Sequence, residues 1–255
     1  MQQRATWATK IGMILATAGA AVGLGNLLRF PVQASQHGGG AFMIPYFIFL
    51  LIMGIPMMWL EWTIGRLGGK YGHGTTPGIF NLLWRHPLAR YLGVLGLVIP
   101  FILCIYYLYV CSWTLAFSFF SLGKLYYGLN DLKSMGMFLR SFQGIEKGYF
   151  NSILPAYIFF LITFFANFFI MYHGLAKGIE RLCKLAMPAL FLLAILLMIR
   201  ALTLGTPDPT YPERNAINGL GFLWNPNFSE LKHASTWLAA AGQIFFTLSL
   251  GLGTL

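Results

Sequence analysis

GAAVGLGN, residues 19–26, places three glycines in eight residues at the centre of an apolar run that extends from about Lys10 to Gln36. Glycine costs up to about 1 kcal/mol per residue in a helix interior, so this stretch opens the helix locally and releases backbone groups from the ladder. A second glycine-rich interruption, SLGLGTL at residues 249–255, closes an apolar helix that begins at Thr236. Irregular backbone at mid-membrane depth is tolerated only where protein or a wet cavity satisfies it, and paired broken helices point to a transport site. Half-helix N-termini carry about +0.5 charge and hold a carboxylate, while freed carbonyls hold a cation. The competing use of such glycines is close helix packing of the GxxxG kind.

The rest of the chain sets the medium in which that break lies. Hydrophobic residues make up 57% and charged residues 9% of the 255, with a mean hydropathy of +0.68, where a soluble domain carries about 25% charged residues. The apolar residues come in runs near the ~20 needed to cross ~30 Å of hydrocarbon. We expect one all-α transmembrane domain over residues 1–255, with spans at 10–36 (broken near 21–24), 41–65, 91–122, 153–172, 186–204 and 236–248. Between them, residues 66–90 read as a basic connector, and 123–151 and 205–235 as polar loops. The first run lacks a clean small-residue cleavage site and is expected to stay in the mature protein.

Net charge is +10, but the basic residues are spread over short loops, with no basic helix and no aromatic-basic interleaving, which argues against nucleic acid. Orientation explains them better. Alternate loops place nine Lys/Arg on one side (Arg4, Lys10, Arg66, Lys70, Arg85, Arg90, Lys177, Arg181, Lys184) with Glu180 the sole acid, against six Lys/Arg and five acids on the other. The positive-inside rule then puts the N-terminus in the cytoplasm, the membrane being the inner (plasma) membrane.

Other motifs carry little chemistry. Cys104, Cys111 and Cys183 lack metal-ligand spacing and read as packing residues. Gly23–Gly25 mimics part of a dinucleotide fingerprint, but Leu28 stands where the third glycine belongs. Gly38, Gly39 and Gly40, with no Lys-Ser/Thr after them, read as a helix-to-helix turn rather than a phosphate loop. Glu61, alone near a span end, reads as a partner for a nearby base or helix terminus. No His/Asp/Glu/Cys constellation lies within the spans, and His37, His73, His86, His173 and His233 fall at or near loops, so an enzyme is not expected.

Six segments together carry a family resemblance: ATAGAAVGLGNLLRFP (16–31), GGGAFMIPY (38–46), EWTIGR (61–66), IYYLYVCSW (105–113), KGIERLCKLAMP (177–188) and GQIFFTLSLGLG (242–253). They resemble the neurotransmitter:sodium symporter family, and most closely its bacterial leucine-transporter branch. The rule on paired broken helices draws on that same leucine transporter, so rule and resemblance are one line of support. The resemblance implies two inverted five-helix repeats, of which this chain matches the first plus the first half of helix six. It implies sodium-coupled symport of a neutral L-amino acid by alternating access. The alternative is a membrane fragment that is transport-incompetent, or a half-transporter needing a complementary chain.

Carried over residue by residue, the resemblance assigns Ala21, Gly23, Leu24 and Gly25 to the substrate pocket, the amides of Leu24 and Gly25 meeting the substrate carboxylate. Tyr107 would donate its hydroxyl to the same group. Phe246, Thr247 and Ser249 would receive the ammonium, with Leu103 and Leu252 beside the side chain. Two Na⁺ are implied for the full-length protein. One would sit among Ala21, Asn26, Thr247 and the substrate carboxylate; the other would use Gly19 and Val22, its remaining ligands lying on helix eight. Oxygen ligands suit this hard cation. Arg29, Phe246 and Gln243 resemble an outer gate, and Arg4 and Trp7 an inner one. The partners implied are a small neutral amino acid, the lipid bilayer and, for the full-length form, a second copy in a homodimer. Leu252 departs from the bulky aromatic usual in the leucine branch, and Leu103 from a smaller aliphatic. A methylene shifts selectivity by only about 1–3 kcal/mol, so no single amino acid is chosen.

Overall fold

The computed structural model describes residues 7–23, 25–206 and 209–251, which are helical with no strand among them. In chain order the helices are α1 Lys10–Ala21, α2 Phe30–Gln36, α3 Gly40–Lys70, α4 Thr76–Leu83, α5 Pro87–Leu122, α6 Leu132–Phe142, α7 Leu154–Tyr172, α8 Leu175–Leu202, α9 Ala216–Trp224 and α10 Ala234–Leu248. Four of them, α3, α5, α7 and α8, are long and apolar enough to cross a membrane, and α1 with Gly25–Gln36, bent by 45°, makes a fifth if counted as one span. Inside α3 the turn Leu50–Gly54 is π-helical and leads into Pro56. Proline has no N–H and crowds the carbonyl four residues back, and a wider turn absorbs both defects without ending the helix.

The chain forms two compact units, residues 1–97 with 180–255, and residues 98–179. In the first, α10 lies along α3 and α1 lies along α8. Ala34, Phe42 and Ala240 are its buried centre, flanked by Phe30, Tyr46 and Phe49. A Cβ at Gly54 would stand 2.9 Å from Leu248 Cδ1 and 3.1 Å from Ile244 Cγ2, so glycine there sets how closely α3 and α10 approach. Gly38 and Gly39 take φ of 81° and 60°, and Gly39 N–H donates to Ala34 O at 2.7 Å. That geometry makes the triple glycine the turn between α2 and α3, a conformation open to glycine at little steric cost.

The second unit is held by aromatic packing. Phe120, Phe138 and Phe142 are buried with Ala116 and Ala156, and the Phe120–Phe138 and Phe120–Phe142 ring centroids lie 5.7 and 5.3 Å apart, edge to face. Ser141 Oγ accepts from Phe150 N–H at 2.8 Å and fastens the following loop.

Short helices stand in three stretches read from sequence as connectors or loops: α4, α6 and α9. In α6 the charges of Lys133 and Arg140 hid an apolar face of Met135, Phe138, Leu139 and Phe142 at helical spacing. Asp131 caps α6, its carboxylate accepting from Ser134 N–H at 3.0 Å and from the Ser134 hydroxyl. Those hydrogen bonds hold its carboxyl below the usual 3.8. A carboxyl lowered in the folded state contributes stability above its unfolded value and loses it as pH falls through the folded one. Asp131→Ala is therefore expected to lower the thermal midpoint in detergent at pH 7, with the gap from wild type closing as pH drops below the usual 3.8. A gap that persists unchanged in acid would rule out the cap as its cause.

Candidate functional site

α1 stops at Ala21. Val22 is extended, with φ −92° and ψ 90°, and helix resumes as the π-helical turn Gly25–Arg29. The Gly23 carbonyl accepts from the N–H groups of Asn26 and Leu27 at 3.1 and 3.3 Å, which starts the new turn. The Ala21 carbonyl, which would meet residue 25 in an unbroken helix, instead accepts from the Asn26 amide at 2.9 Å. α10 also stops short. Ser249 is left-handed, with φ 52° and ψ 37°, and Gly251 follows at φ 80°. A non-glycine residue in that region is uncommon and marks a site where surrounding structure enforces the conformation.

These two loose ends meet. Gln243, fully buried, donates through Nε2 to the Gly25 carbonyl at 2.9 Å and to Thr247 Oγ1 at 3.0 Å. The Ser249 hydroxyl reaches the Ala20 carbonyl at 3.5 Å. Gly25 lies so close to α10 that a Cβ built on it would stand 2.6 Å from the Phe246 ring. Arg29 sets its guanidinium 4.9 Å from the centroid of that ring and donates to the Gly242 carbonyl at 3.4 Å. No acid pairs with Arg29 among the described residues; the aromatic face and a carbonyl take the place of a counter-ion.

Two residues of α3 join the site, and sequence reasoning assigned neither to it. Tyr46 brings its hydroxyl beside Thr247. Glu61 accepts from the N–H of Gly251, in the unwound end of α10. A lone acid in a span was the signal; its partner, 190 residues away, was not legible. Gln243 Oε1 and Glu61 Oε2 are buried with no hydrogen-bond partner among the described residues. Buried acceptors are normally satisfied, so two orphaned oxygens beside freed carbonyls fit a missing donor or cation. The donor set is oxygen throughout, and the described residues hold no group of three His, Cys, Asp or Glu suited to a transition metal.

Of the residues singled out in the sequence, the first unit brings together Ala21, Gly23, Gly25, Asn26, Arg29, Gln243, Phe246, Thr247 and Ser249. Gly19 sits farther along α1 against α8, where its Cβ would lie 3.3 Å from Met187 Sδ. Val22 supplies the extended residue of the break. Gln243, expected beside Arg29, is a strut between the broken helices. Trp7 is half-buried. Arg4, Leu24 and Leu252 lie outside the described residues. Leu103 and Tyr107 lie on α5 in the second unit, and their assignment rests on the resemblance alone.

Two unwound helix ends tied to each other through a buried glutamine, in a chain of membrane-length apolar helices, resemble the broken-helix arrangement of secondary transporters. The chain belongs to the sodium:neurotransmitter symporter family, whose description matches residues 4–129 and 130–255. An uncharacterized sodium-dependent transporter of Methanocaldococcus jannaschii, MJ1319, is 32% identical over 259 residues, covering 99% of this chain and 48% of that protein. The mouse sodium-dependent neutral amino acid transporter B(0)AT3 is 33% identical over 276 residues, covering 98% of this chain and 41% of that one. The crystal structure of MhsT in complex with L-phenylalanine superposes with a TM-score of 0.77 at 36% identity, covering 98% of this chain and 52% of MhsT. The chain thus spans about half the length of the relatives it matches. Its fold is the first five-helix repeat of the leucine-transporter type with the first half of helix six.

Proposed function

We propose that this chain carries the broken-helix part of a site for sodium-coupled symport of a neutral L-amino acid by alternating access. One observation carries the reading: the unwound ends of α1 and α10 are tied to each other through Gln243, which bonds Gly25 O and Thr247 Oγ1. In this reading the Ala21 carbonyl, the Asn26 side chain and Thr247 hold one Na⁺, whose shell the substrate carboxylate completes. The Asn26 amide, whose nitrogen lies 2.9 Å from Ala21 O, turns its oxygen toward the ion; the two ends of a carboxamide differ little in size. Gly19 and Val22 carbonyls contribute to a second Na⁺. The substrate carboxylate lies at the amide of Gly25, where the resumed helix presents its positive end, the Leu24 amide being assigned by the resemblance alone, and the ammonium faces Phe246, Thr247 and Ser249.

The neutral amino acid in the mouse relative's name and the L-phenylalanine bound to MhsT support that substrate class. The excess of Lys/Arg on the N-terminal side supports a cytoplasmic N-terminus in the plasma membrane. The transporter that carries this chain, reconstituted in proteoliposomes, is expected to take up labelled alanine or leucine down an inward Na⁺ gradient and to be inhibited by neutral competitors among the twenty amino acids. Equal uptake in K⁺, or a preference for a charged competitor, refutes the reading.

A further inference from the structure

The short helix α4, Thr76–Leu83, joins two membrane-length helices, α3 and α5, and its two sides are used differently. One side is packed. A Cβ at Gly68 of α3 would overlap the Ile79 side chain, and a Cβ at Gly93 of α5 would stand 2.6 Å from Pro77 Cα, so glycines on both neighbours let α4 seat against them. The His73 N–H donates to the Gly68 carbonyl at 2.8 Å and the Trp84 N–H to the Phe80 carbonyl at 2.9 Å, which fixes the chain on entry and exit. Trp84 then stacks on His86, with ring centroids 5.0 Å apart. The other side is bare: Phe80, Leu83 and Trp84 stand at i, i+3, i+4 spacing and are 37, 51 and 49% exposed.

The same junction is basic. Lys70 ends α3 with Arg66 one turn before it, Arg85 follows Trp84, and Arg90 lies in the first turn of α5; all four are exposed. Residues 62–97 contain no Asp or Glu, and none of the four cations forms a salt bridge among the described residues. Membrane orientation accounts for the charges, but it leaves three large apolar side chains exposed outside any span. An apolar stripe flanked by cations suits a bilayer surface, where the stripe meets the acyl boundary and the cations meet phosphates. The stripe also continues the apolar surfaces of α3 and α5, the helices that enter the hydrocarbon beside it.

We propose that α4 lies in the membrane interface and that the α3–α4–α5 junction is a docking surface for anionic phospholipid. Phe80, Leu83 and Trp84 dip toward the acyl chains, and Arg85 and Arg90, with Lys70 and Arg66, hold the headgroup phosphates. The inference does not depend on the transport reading.

Native mass spectrometry of the transporter that carries this chain counts bound lipid as phosphatidylglycerol or phosphatidylcholine with the same acyl chains is titrated into the detergent. Wild type is expected to favour phosphatidylglycerol by about tenfold. Arg85→Gln with Arg90→Gln is expected to weaken phosphatidylglycerol about 10–30-fold and to leave phosphatidylcholine within about twofold. Arg85→Lys with Arg90→Lys, which keeps both charges, is expected to stay within about threefold of wild type. Trp84→Ala is expected to weaken both lipids alike, by about fivefold. Lys133→Gln with Lys147→Gln, which removes two exposed cations of the second unit, is expected to change neither. Equal affinity of wild type for the two lipids, or an equal loss in the Lys133 and Lys147 variant, would overturn the proposal. So would complete displacement of phosphatidylglycerol by millimolar inorganic phosphate, which marks a free-anion site, or a dimeric mass that the glutamine pair abolishes, which marks an interface between copies. Lipid counting requires no uptake, so a failure of amino-acid transport leaves this surface standing.

Discussion

Replacing Asn26 or Thr247 by alanine lowers sodium affinity and amino-acid affinity together, each by about tenfold or more. The expectation follows from the shared shell. If the substrate carboxylate is itself a ligand of the ion, each ligand raises the other's affinity by the same factor, because coupling free energy is reciprocal. Asn26 sits 2.9 Å from the Ala21 carbonyl, and the Thr247 hydroxyl accepts from Gln243 at 3.0 Å, so both side chains lie at the junction of the broken helices. Thr247→Ser keeps the hydroxyl and is expected to bind both ligands nearly as well as wild type. Equilibrium binding of labelled amino acid across a sodium titration measures both affinities. A variant that loses only one of them contradicts a common site, and a Thr247→Ser variant as weak as the alanine variant moves the effect from the hydroxyl to packing.

Gly25→Ala is expected to reduce uptake by about 10–100-fold, as forcing a methyl into a packed site costs roughly 1–3 kcal/mol. The added Cβ would stand 2.6 Å from Phe246 Cδ1 and 2.8 Å from Cε1, so the ring has to move. Moving it removes the aromatic face that lies 4.9 Å from the Arg29 guanidinium. It also presses on the Gly25 carbonyl, which Gln243 holds at 2.9 Å. The same overpacking weighs on the folded state, so the thermal midpoint in detergent is expected to fall as well, while initial uptake measured per correctly inserted molecule falls by the full factor of about 10–100. Normal uptake by Gly25→Ala would mean that the two helices do not approach this closely in the working protein.

The break in the first helix was legible because its cause is local. Three glycines between Gly19 and Gly25 weaken the ladder whatever surrounds them, and apolar runs of spanning length announce the lipid. The same local logic located the end of α10. It failed where charge and burial are traded between distant segments. Short helices such as α6 were hidden because polar residues on one face masked the apolar face on the other. Gln243 read as a gate neighbour, yet it ties two helices 218 residues apart in sequence. Glu180, counted in the sequence only as the sole acid of a basic side, holds Ala8 and Thr9.

Sequence alone therefore determined that this chain lives in a membrane, that its first and last apolar helices come apart at glycine, and which family it resembles. Tertiary structure decided which oxygens face which donors: Glu61 with Gly251, the Gly25 carbonyl with Gln243, Glu180 with Thr9. Propensity and hydropathy act over one or two helical turns. A buried hydrogen bond is chosen by how whole helices pack, and that choice is not written in the neighbours of either partner.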